Sequence, residues 1–399
     1  MKVLVIYHSG LSSEALSFYD EYVRQGVQLD VVVPAAMAIE KTDSPSGRVV
    51  YSGQDEGKGY RIIAVPLYKP ESYSAGFAFL SLYRAIQQSN PDIIHVFDEF
   101  TSLYLTQTLL CRNVIYGRRV PVLCYASQNI AFKNPPFVFE SFRRFFKRLA
   151  YKIFYPFLIW FNKTYLDGAT GCNSEALKII KDVSATFPLR RTFWGVNFDI
   201  FYPQDKFICR QKFNIRKDII LVGYVGRLDK EKGIDTLLKA AAKMPQYHIL
   251  IAGEGKDKES IEALIDQLAI RERVLRVSNI TRQELAMLYN CFDVLVVPSK
   301  TTPTWKEQYG RVLVEAMGCR IAIVGSSSGA IPEVLEGYPK HLIFQEDDPD
   351  DLVEKITKAK DLHTPDNFDL AAFLQRFSTT TFIHSYISFY NNILSHGKI

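Results

Sequence analysis

The chain has 399 residues, 47% of them apolar and 23% charged, with a net charge of +5 and a pI of about 8.7. This length is enough for two domains with full cores, and this balance is typical of a soluble globular protein. No apolar run approaches the roughly 20 residues that span a bilayer, and the opening MKVLVIYHSG lacks the pattern of a signal peptide. The six cysteines are scattered, which favours reduced thiols over a disulfide frame or a metal site. We therefore expect a cytoplasmic protein.

Short β-branched runs alternate with helical periods in the first half of the chain. Helices such as 12–25 and 76–89 separate the predicted strands, which are KVLVIY, QLDVVVP, RIIAVPL, PDIIHVF, PVLCYA and DGATGC. This alternation predicts a doubly wound parallel sheet. Ligands of such sheets bind beyond the carboxyl ends of the strands, so we expect the binding residues in the loops there.

The loop after the first strand, HSGLSS, contains Gly10 and His8. It is a weak candidate for a phosphate loop because it lacks G-x-G-x-x-G, and the same absence disfavours a dehydrogenase that transfers hydride. His8 either lines a cleft or is an ordinary turn histidine.

Two later loops supply candidates for binding an acceptor. Asp98 and Glu99 follow the strand PDIIHVF, where either carboxylate can orient a hydroxyl group. Alternatively, Glu99 or Thr101 caps the next helix. Gln128 and Asn129 follow another strand, and their amides can hydrogen-bond a sugar but cannot exchange a proton near neutral pH.

Basic and aromatic residues are concentrated between residues 137 and 165. Arg144, Arg148 and Lys152 recur every four residues and form a basic stripe beside a separate apolar one. The segment is either a domain helix with a solvated basic edge or, over residues 141–165, an interfacial helix on an anionic membrane surface. No recognised nucleic-acid-binding fold accompanies it, so we expect no nucleic-acid partner.

The strand–helix alternation breaks at TFWGVNFDIFYP, residues 192–203, and restarts at IILVGYVG. This break predicts a domain boundary near residue 200, with domains at 1–200 and 201–379. The second domain offers the strands HILIAG, RVLRV, DVLVVPS, RIAIVG and HLIF, and a last helix is predicted within 377–394.

The second domain opens with two cations in the turn after its first strand. Arg227 and Lys232 lie in YVGRLDKEKGID, and cations at the carboxyl end of a strand suit a diphosphate. We expect both side chains to be exposed. Alternatively, they pair with Asp229 and Glu231 on the surface.

Two glutamates, Glu307 and Glu315, flank a loop-to-helix junction in EQYGRVLVEAMG. The apolar period that begins after Tyr309 predicts a helix whose first turn carries Gly310. Unpaired N–H groups at that end suit a diphosphate, while Glu315 can accept hydrogen bonds from the vicinal hydroxyls of a ribose. Otherwise this is a surface helix with two solvated glutamates.

The motifs GRLDKEKGID, ILIAGEG, EQYGRVLVEAMG and GSSSGAIPEVL follow one another in this order. With them the chain resembles the family 4 retaining glycosyltransferases of GT-B architecture over most of its length. The resemblance implies an α/β fold of two Rossmann-like, doubly wound parallel-sheet domains that face each other across a cleft. It also implies a closing helix, about 380–399, that returns to the first domain, which would bind the acceptor.

The resemblance implies a donor site in the second domain, with Gly10 on the opposite wall. Its catalytic residues would be Glu307, Arg227 and Lys232, the two cations contacting the diphosphate, and Glu315 would hold the ribose. The other implied donor-binding residues are Gly226, Gly253, Glu254, Asn279, Ile280, Tyr309, Gly310, Arg311 and Val312. Relatives often carry a histidine where Gln128 and Asn129 stand, so an imidazole-based mechanism is not expected there.

The expected reaction is transfer of a hexosyl unit from a UDP- or GDP-sugar to a glycan or lipid-linked glycan. We identify no carboxylate for a covalent intermediate, and the resemblance implies front-face substitution instead. No cofactor or metal is expected, since no isolated D-x-D signature is present and the acidic run EDDPD at 346–350 is typical of a solvated helix start. The alternatives are a sugar-nucleotide epimerase and a non-catalytic nucleotide- or glycan-binding protein.

Overall fold

A computed structural model describes residues 1–38, 48–51, 57–69, 76–130, 154, 156–183, 186–362 and 367–396. These residues form two compact units. Unit 1 comprises Met1–Phe193 and Phe382–Ile399, and unit 2 comprises Trp194–Thr381. The basic stripe of Arg144, Arg148 and Lys152 lies outside the described residues.

The strands of unit 1, within its described residues, are β1 (Lys2–Ile6), β2 (Gln28–Pro34), β3 (Ala36–Ala38), β4 (Arg48–Val50), β5 (Arg61–Val65), β6 (Ile93–Val96), β7 (Val122–Ala126), β8 (Gly168–Gly171) and β9 (Leu189–Arg191). Its helices there are α1 (Ser13–Arg24), α2 (Phe79–Ser89), α3 (Leu103–Tyr116), α4 (156–165) and α5 (Ser174–Asp182). The main sheet has the order β5-β2-β1-β6-β7-β8-β9 and is parallel throughout, while β3 and β4 pair antiparallel. Its inner strands are continuous apolar runs because helices cover both faces of such a sheet.

Serine side chains define the starts of two helices in unit 1. The Ser12 hydroxyl accepts a hydrogen bond from the Ala15 amide at the start of α1, and Ser102 accepts one from the Leu105 amide at the start of α3. The sequence-based alternative that Glu99 or Thr101 caps α3 is therefore wrong. A serine with extended backbone satisfies that end instead, which leaves the Glu99 carboxylate for other contacts.

The strands of unit 2 are β10 (Ile220–Val225), β11 (Tyr247–Ala252), β12 (Val274–Val277), β13 (Val294–Val297), β14 (Ala322–Ser326) and β15 (His341–Phe344). Its helices are α6 (Lys206–Lys212), α7 (Ile234–Ala242), α8 (Lys258–Gln267), α9 (Arg282–Cys291), α10 (Arg311–Gly318), α11 (Ile331–Leu335), α12 (Pro349–Ala359), α13 (Leu370–Gln375) and the first residues of α14 (Thr379–His396). The sheet is parallel in the order β12-β11-β10-β13-β14-β15. The prediction of two parallel, Rossmann-like sheets is confirmed.

From Phe382 onward, α14 packs in unit 1, where it completes a buried polar cluster. The Tyr390 hydroxyl lies 2.7 Å from the Tyr22 hydroxyl and 2.6 Å from Nδ1 of His95. Burial lowers the pKa of His95 to about 3, so its ring is neutral and serves as a hydrogen-bonding group of the core.

Asp293, just before β13, is the centre of a structural ion-pair network in unit 2. Its Oδ2 accepts from Nη2 of the buried Arg210 at 2.8 Å and from the Leu221 amide at 2.7 Å, and its Oδ1 accepts from Lys206 at 2.5 Å. Arg210 also donates to backbone carbonyl groups, including that of Cys291. The network ties α6 to the amino ends of β10 and β13.

All six cysteines are free and buried. Burial raises the pKa of thiols such as Cys111 and Cys124 well above the usual value. Within the described ranges, no helix has the length and apolar character needed to span a membrane.

Candidate functional site

The motifs of the second half meet at the carboxyl edge of the unit 2 sheet. Gly226 directly follows β10 and Gly253 directly follows β11. The two backbones approach so closely that a Cβ atom on Gly253 would lie 2.0 Å from the Gly226 carbonyl oxygen. At Gly233, with φ of +67°, a Cβ atom would lie 1.9 Å from the Pro298 carbonyl oxygen. Only glycine fits at these crossings, which bring the loops after β10, β11 and β13 together.

Lys232 and Glu307 form an ion pair across this edge. Lys232 Nζ lies 2.8 Å from Glu307 Oε2, which also accepts a 2.7 Å hydrogen bond from the Ser299 hydroxyl. Trp305 places its ring centroid 4.6 Å from the same ammonium group. The side chains are only 18% and 9% exposed, so the expectation of an exposed Lys232 is wrong. The pair holds a cation in a fixed position at the edge of the sheet.

Arg227 differs from Lys232 in its environment. Its Nη1 lies 3.0 Å from Oδ2 of the buried Asp229, which confirms the pairing weighed from the sequence. The Arg227 side chain is still 49% exposed, and a guanidinium group has further donors for an anionic ligand. Lys232, in contrast, pairs with Glu307 rather than with a neighbour in its own loop.

Glu315 lies on α10 and is oriented by two residues of α9. Its Oε2 accepts a 2.8 Å hydrogen bond from the buried hydroxyl of Tyr289, and its Oε1 lies 3.8 Å from Nη2 of Arg282. The carboxylate is 7% exposed, so it is not the solvated surface group of the alternative reading. Sequence reasoning missed both partners. Their spacing of seven residues, which places them on one helix face, was the available signal.

The start of α10 differs slightly from the prediction. Gly310, with φ of +76°, is the N-cap rather than part of the first turn, and α10 begins at Arg311. In the described part of the chain, no side chain caps this end. Tyr309 is buried and donates its hydroxyl to the Trp194 carbonyl oxygen at 3.0 Å. Gly310, Arg311 and Val312 therefore form the N-terminal turn, whose N–H groups point outward.

The other predicted donor-binding residues lie beside neighbouring strands. Glu254 pairs with Lys258 at 3.1 Å, and this hydrogen bond lowers the pKa of Glu254. Asn279, with φ of +55°, and Ile280 form the turn between β12 and α9. Both groups lie at the edge that carries Gly226 and Gly253, because β10, β11 and β12 are neighbours in the sheet.

In unit 1, Asp98 and His8 lie together after β6 and β1. Asp98 Oδ2 is 3.8 Å from His8 Nδ1, and Asp98 Oδ1 accepts from the Glu99 amide at 2.8 Å. Burial raises the pKa of Asp98 to about 6 and lowers the pKa of His8. Asp98 can therefore exchange a proton closer to neutral pH than an ordinary surface aspartate, whereas the lowered pKa of His8 favours its neutral ring.

Glu99 holds the loop after β7 in place. Its Oε1 accepts from the Ser127 amide at 3.0 Å, the Ser127 hydroxyl at 2.5 Å and the Gln128 amide at 3.0 Å. Burial raises the pKa of Glu99 to about 7. Asn129 is buried, and Gly10 is packed so tightly that a Cβ atom there would lie 2.7 Å from the Tyr19 hydroxyl oxygen. The contacts of these residues fix the conformation of the unit 1 loops.

The acidic run at 346–350 has structural partners. Asp348 caps α12 by accepting from the amides of Asp350 and Asp351. Asp347 pairs with Lys300 at 2.6 Å, and Glu346 accepts from Thr301. Among the described residues, no group of three or more His, Cys, Asp or Glu side chains is arranged to hold a metal ion.

Comparison with known proteins agrees with the second-half motifs. Residues 205–371 match the sequence model of the family described as "Glycosyl transferases group 1". A D-inositol 3-phosphate glycosyltransferase from Mycobacteroides abscessus is 34% identical over 143 residues, which are 35% of this chain and 31% of the relative. A protein of the same name from Mycolicibacterium smegmatis is 30% identical over 172 residues, or 42% and 38% of the two chains. The chain thus spans about a third of the length of the curated relatives it matches.

Solved structures resemble the chain over nearly its whole length. Sucrose-phosphate synthase from Thermosynechococcus elongatus has a TM-score of 0.71 at 18% identity, covering 99% of this chain and 100% of that one. Anabaena Alr3699/HepE in complex with UDP and glucose has a TM-score of 0.70 at 15% identity, covering 98% and 99%. At these identities the likeness shows the fold alone, and this fold is the GT-B architecture.

Proposed function

We propose that the protein is a retaining glycosyltransferase, because residues 205–371 match the sequence model of the glycosyl transferases group 1. It moves a hexosyl unit from a nucleotide diphosphate sugar, with UDP or GDP as the nucleotide, to a glycan or a lipid-linked glycan. Sugar polymers or glycolipids of the cell surface are the products that such acceptors imply.

The observation that carries the proposal is the Lys232–Glu307 pair at the carboxyl edge of the unit 2 sheet. Lys232 has three N–H donors, and Glu307 takes one of them at 2.8 Å. The remaining N–H donors of this ammonium group can bind a ligand that lies beside the N-terminus of α10. Glu307 thereby acts as a positioning residue for Lys232 and reaches the sugar through its own carboxylate only once the donor is bound.

The diphosphate is the leaving group, and the site stabilises it by charge. Negative charge develops on the departing oxygen, and it is stabilised by Arg227, Lys232 and the N–H groups at the start of α10. Removing one such donor costs about 3 to 4 kcal/mol of transition-state stabilisation. The departing oxygen takes the proton of the acceptor hydroxyl in front-face substitution, so the protein supplies no covalent nucleophile and needs no metal.

Glu315 binds the ribose of the donor. Tyr289 and Arg282 hold its carboxylate by contacts of 2.8 and 3.8 Å, and a carboxylate has about four acceptor sites. Two vicinal hydroxyl groups can therefore donate to it without displacing Tyr289. The turn of Asn279 and Ile280, together with Gly253 and Glu254, frames the base.

Asp98 is favoured over Glu99 as the group that orients the acceptor hydroxyl in unit 1. Oε1 of Glu99 already accepts three hydrogen bonds from Ser127 and Gln128, whereas Asp98 faces the titratable His8. A carboxyl group whose pKa is raised to about 6 can accept a hydrogen bond and pass a proton on near neutral pH.

The protein attaches peripherally to anionic membranes at the cytoplasmic face through residues 141–165. Phe154, Phe157 and Trp160, on the described part of this segment, are each more than half exposed, which suits an interface of headgroups and acyl chains. Liposome flotation tests this attachment with Arg144, Arg148 and Lys152 all changed to Glu. Equal flotation of the variant and the unchanged protein contradicts it.

The donor is identified by a thermal-shift screen of UDP-, GDP-, ADP- and CMP-sugars, followed by product analysis. Transfer to an acceptor with release of the nucleoside diphosphate supports the proposal. A sugar nucleotide that is epimerised without any acceptor identifies an epimerase instead. Binding without transfer or donor hydrolysis identifies a non-catalytic binding protein.

A further inference from the structure

A cavity of about 270 Å³ lies in unit 2 at the edge opposite the candidate donor site. Asp293 and Ala322, at the amino ends of β13 and β14, line it, as does Cys319 after α10. β13 alone spans about 13 Å at 3.3 Å per residue, so the cavity and the loop after that strand are separate places. No residue of the four motifs lines it.

The walls of this cavity are strongly basic. Four cations line it, and they are Lys206, Arg320, Lys340 and Lys360, against the single carboxylate of Asp293. That carboxylate is already engaged, because it accepts from Lys206, from Arg210 and from the Leu221 amide. Among the residues that line the cavity, positive charge is therefore in excess, and they include no second carboxylate.

The cations are held close enough to repel one another. Lys340 is half-buried, and its Nζ donates to the Arg320 carbonyl oxygen at 2.9 Å. Burial, followed by the charges of Lys206 and Arg320, lowers the pKa of Lys340. Within the described ranges, the Arg320 and Lys360 side chains form no ion pair. Both residues lie at the C-terminal ends of α10 and α12, where a cation interacts favourably with the helix dipole. This interaction does not explain why both side chains line the same cavity.

We propose that this cavity, called the basic pocket below, binds a phosphate-class anion. An anion of the size of phosphate or diphosphate fits the volume and supplies a counter-charge for the cations that line it. Free phosphate compounds and phosphorylated lipid headgroups share this chemistry. Phe207 and Ile208, which follow Lys206, are each more than half exposed and would suit the second source.

The test uses inorganic pyrophosphate and isothermal calorimetry in an Arg227→Ala background, which weakens the candidate donor site. In this background we add Arg320→Gln with Lys360→Gln, because neither side chain forms an ion pair with a residue that the structure describes. The matched control is Lys178→Gln with Lys181→Gln, two exposed cations of α5 in unit 1.

We expect the basic-pocket variant to bind pyrophosphate about tenfold more weakly or worse, since two charged donors are lost, and the control to bind unchanged. Equal affinity in both variants overturns the inference. Binding by the unchanged protein that Arg227→Ala alone abolishes also overturns it, while supporting the donor site. Vesicles of phosphatidylcholine with phosphatidic acid, but not phosphatidylcholine alone, compete for the pocket if the natural anion is a lipid headgroup.

Discussion

Lys232→Ala should destabilise the protein as well as abolish transfer. The substitution leaves the Glu307 carboxylate, 9% exposed, with the Ser299 hydroxyl but without its cation. Breaking a buried ion pair by removing one partner costs about 3 to 5 kcal/mol, whereas an exposed pair contributes only about 0 to 1 kcal/mol. Because Lys232 itself is 18% exposed, we expect a loss near the lower end of the buried range, about 3 kcal/mol of unfolding free energy.

Urea denaturation of three variants measures this loss. Lys239→Ala is the matched control, because Lys239 pairs with Asp235 at 3.3 Å where both side chains are more than a third exposed. That variant should lose no more than about 0.5 kcal/mol. The double variant Lys232→Met with Glu307→Gln removes both charges, so it should recover most of the stability while remaining inactive.

The reasoning is refuted if Lys232→Ala is no less stable than Lys239→Ala. It is also refuted if the double variant is no more stable than Lys232→Ala, since removing both charges should remove the cost of an unpaired buried carboxylate. If Lys232→Ala keeps full transfer activity, Lys232 does not bind the diphosphate, whatever the stability of the variant.

Three further results are expected. Glu315→Gln should weaken binding of the free nucleoside diphosphate. Tyr289→Phe should weaken this binding less, since the substitution removes only the 2.8 Å contact that orients Glu315. If calorimetry shows no change in either variant, Glu315 is purely structural. The raised pKa of Glu99, about 7 against about 4.3 in the unfolded chain, means that the folded state holds a proton which the unfolded state has lost. The unfolding free energy should therefore fall as the pH rises from about 4.5 to about 7, and Glu99→Gln should flatten this slope in denaturation curves. EDTA should leave transfer intact, and activity that returns only on adding a divalent metal would contradict the charge-based account.

The sequence predicts which elements carry the site because periodicity and turn residues are local properties. Arg227, after β10, and Glu315, on α10, are both placed correctly from such patterns. The sequence does not predict that Gly233 and Gly253 stand where loops cross with no room for a side chain, because these crossings depend on contacts between separate loops.

The partners of these residues could not be predicted in the same way. Lys232 and Glu307 are 75 positions apart, and their contact depends on how the loops after β10 and β13 cross. Tyr289 donates to Glu315 from a neighbouring helix. The apolar period of each helix does not predict which residues of the other helix it contacts. The hydrogen bonds from Ser127 and Gln128 to Glu99 likewise depend on how two loops meet, which no local pattern predicts.

The anomeric configuration of the product tests the central claim most directly. The unchanged protein is incubated with the donor found by screening and a glycan acceptor, and proton NMR follows the anomeric signal from the first turnovers. The account predicts release of the nucleoside diphosphate and a new glycosidic bond with the configuration of the donor. A product of inverted configuration, or a sugar nucleotide altered without any transfer, would contradict it.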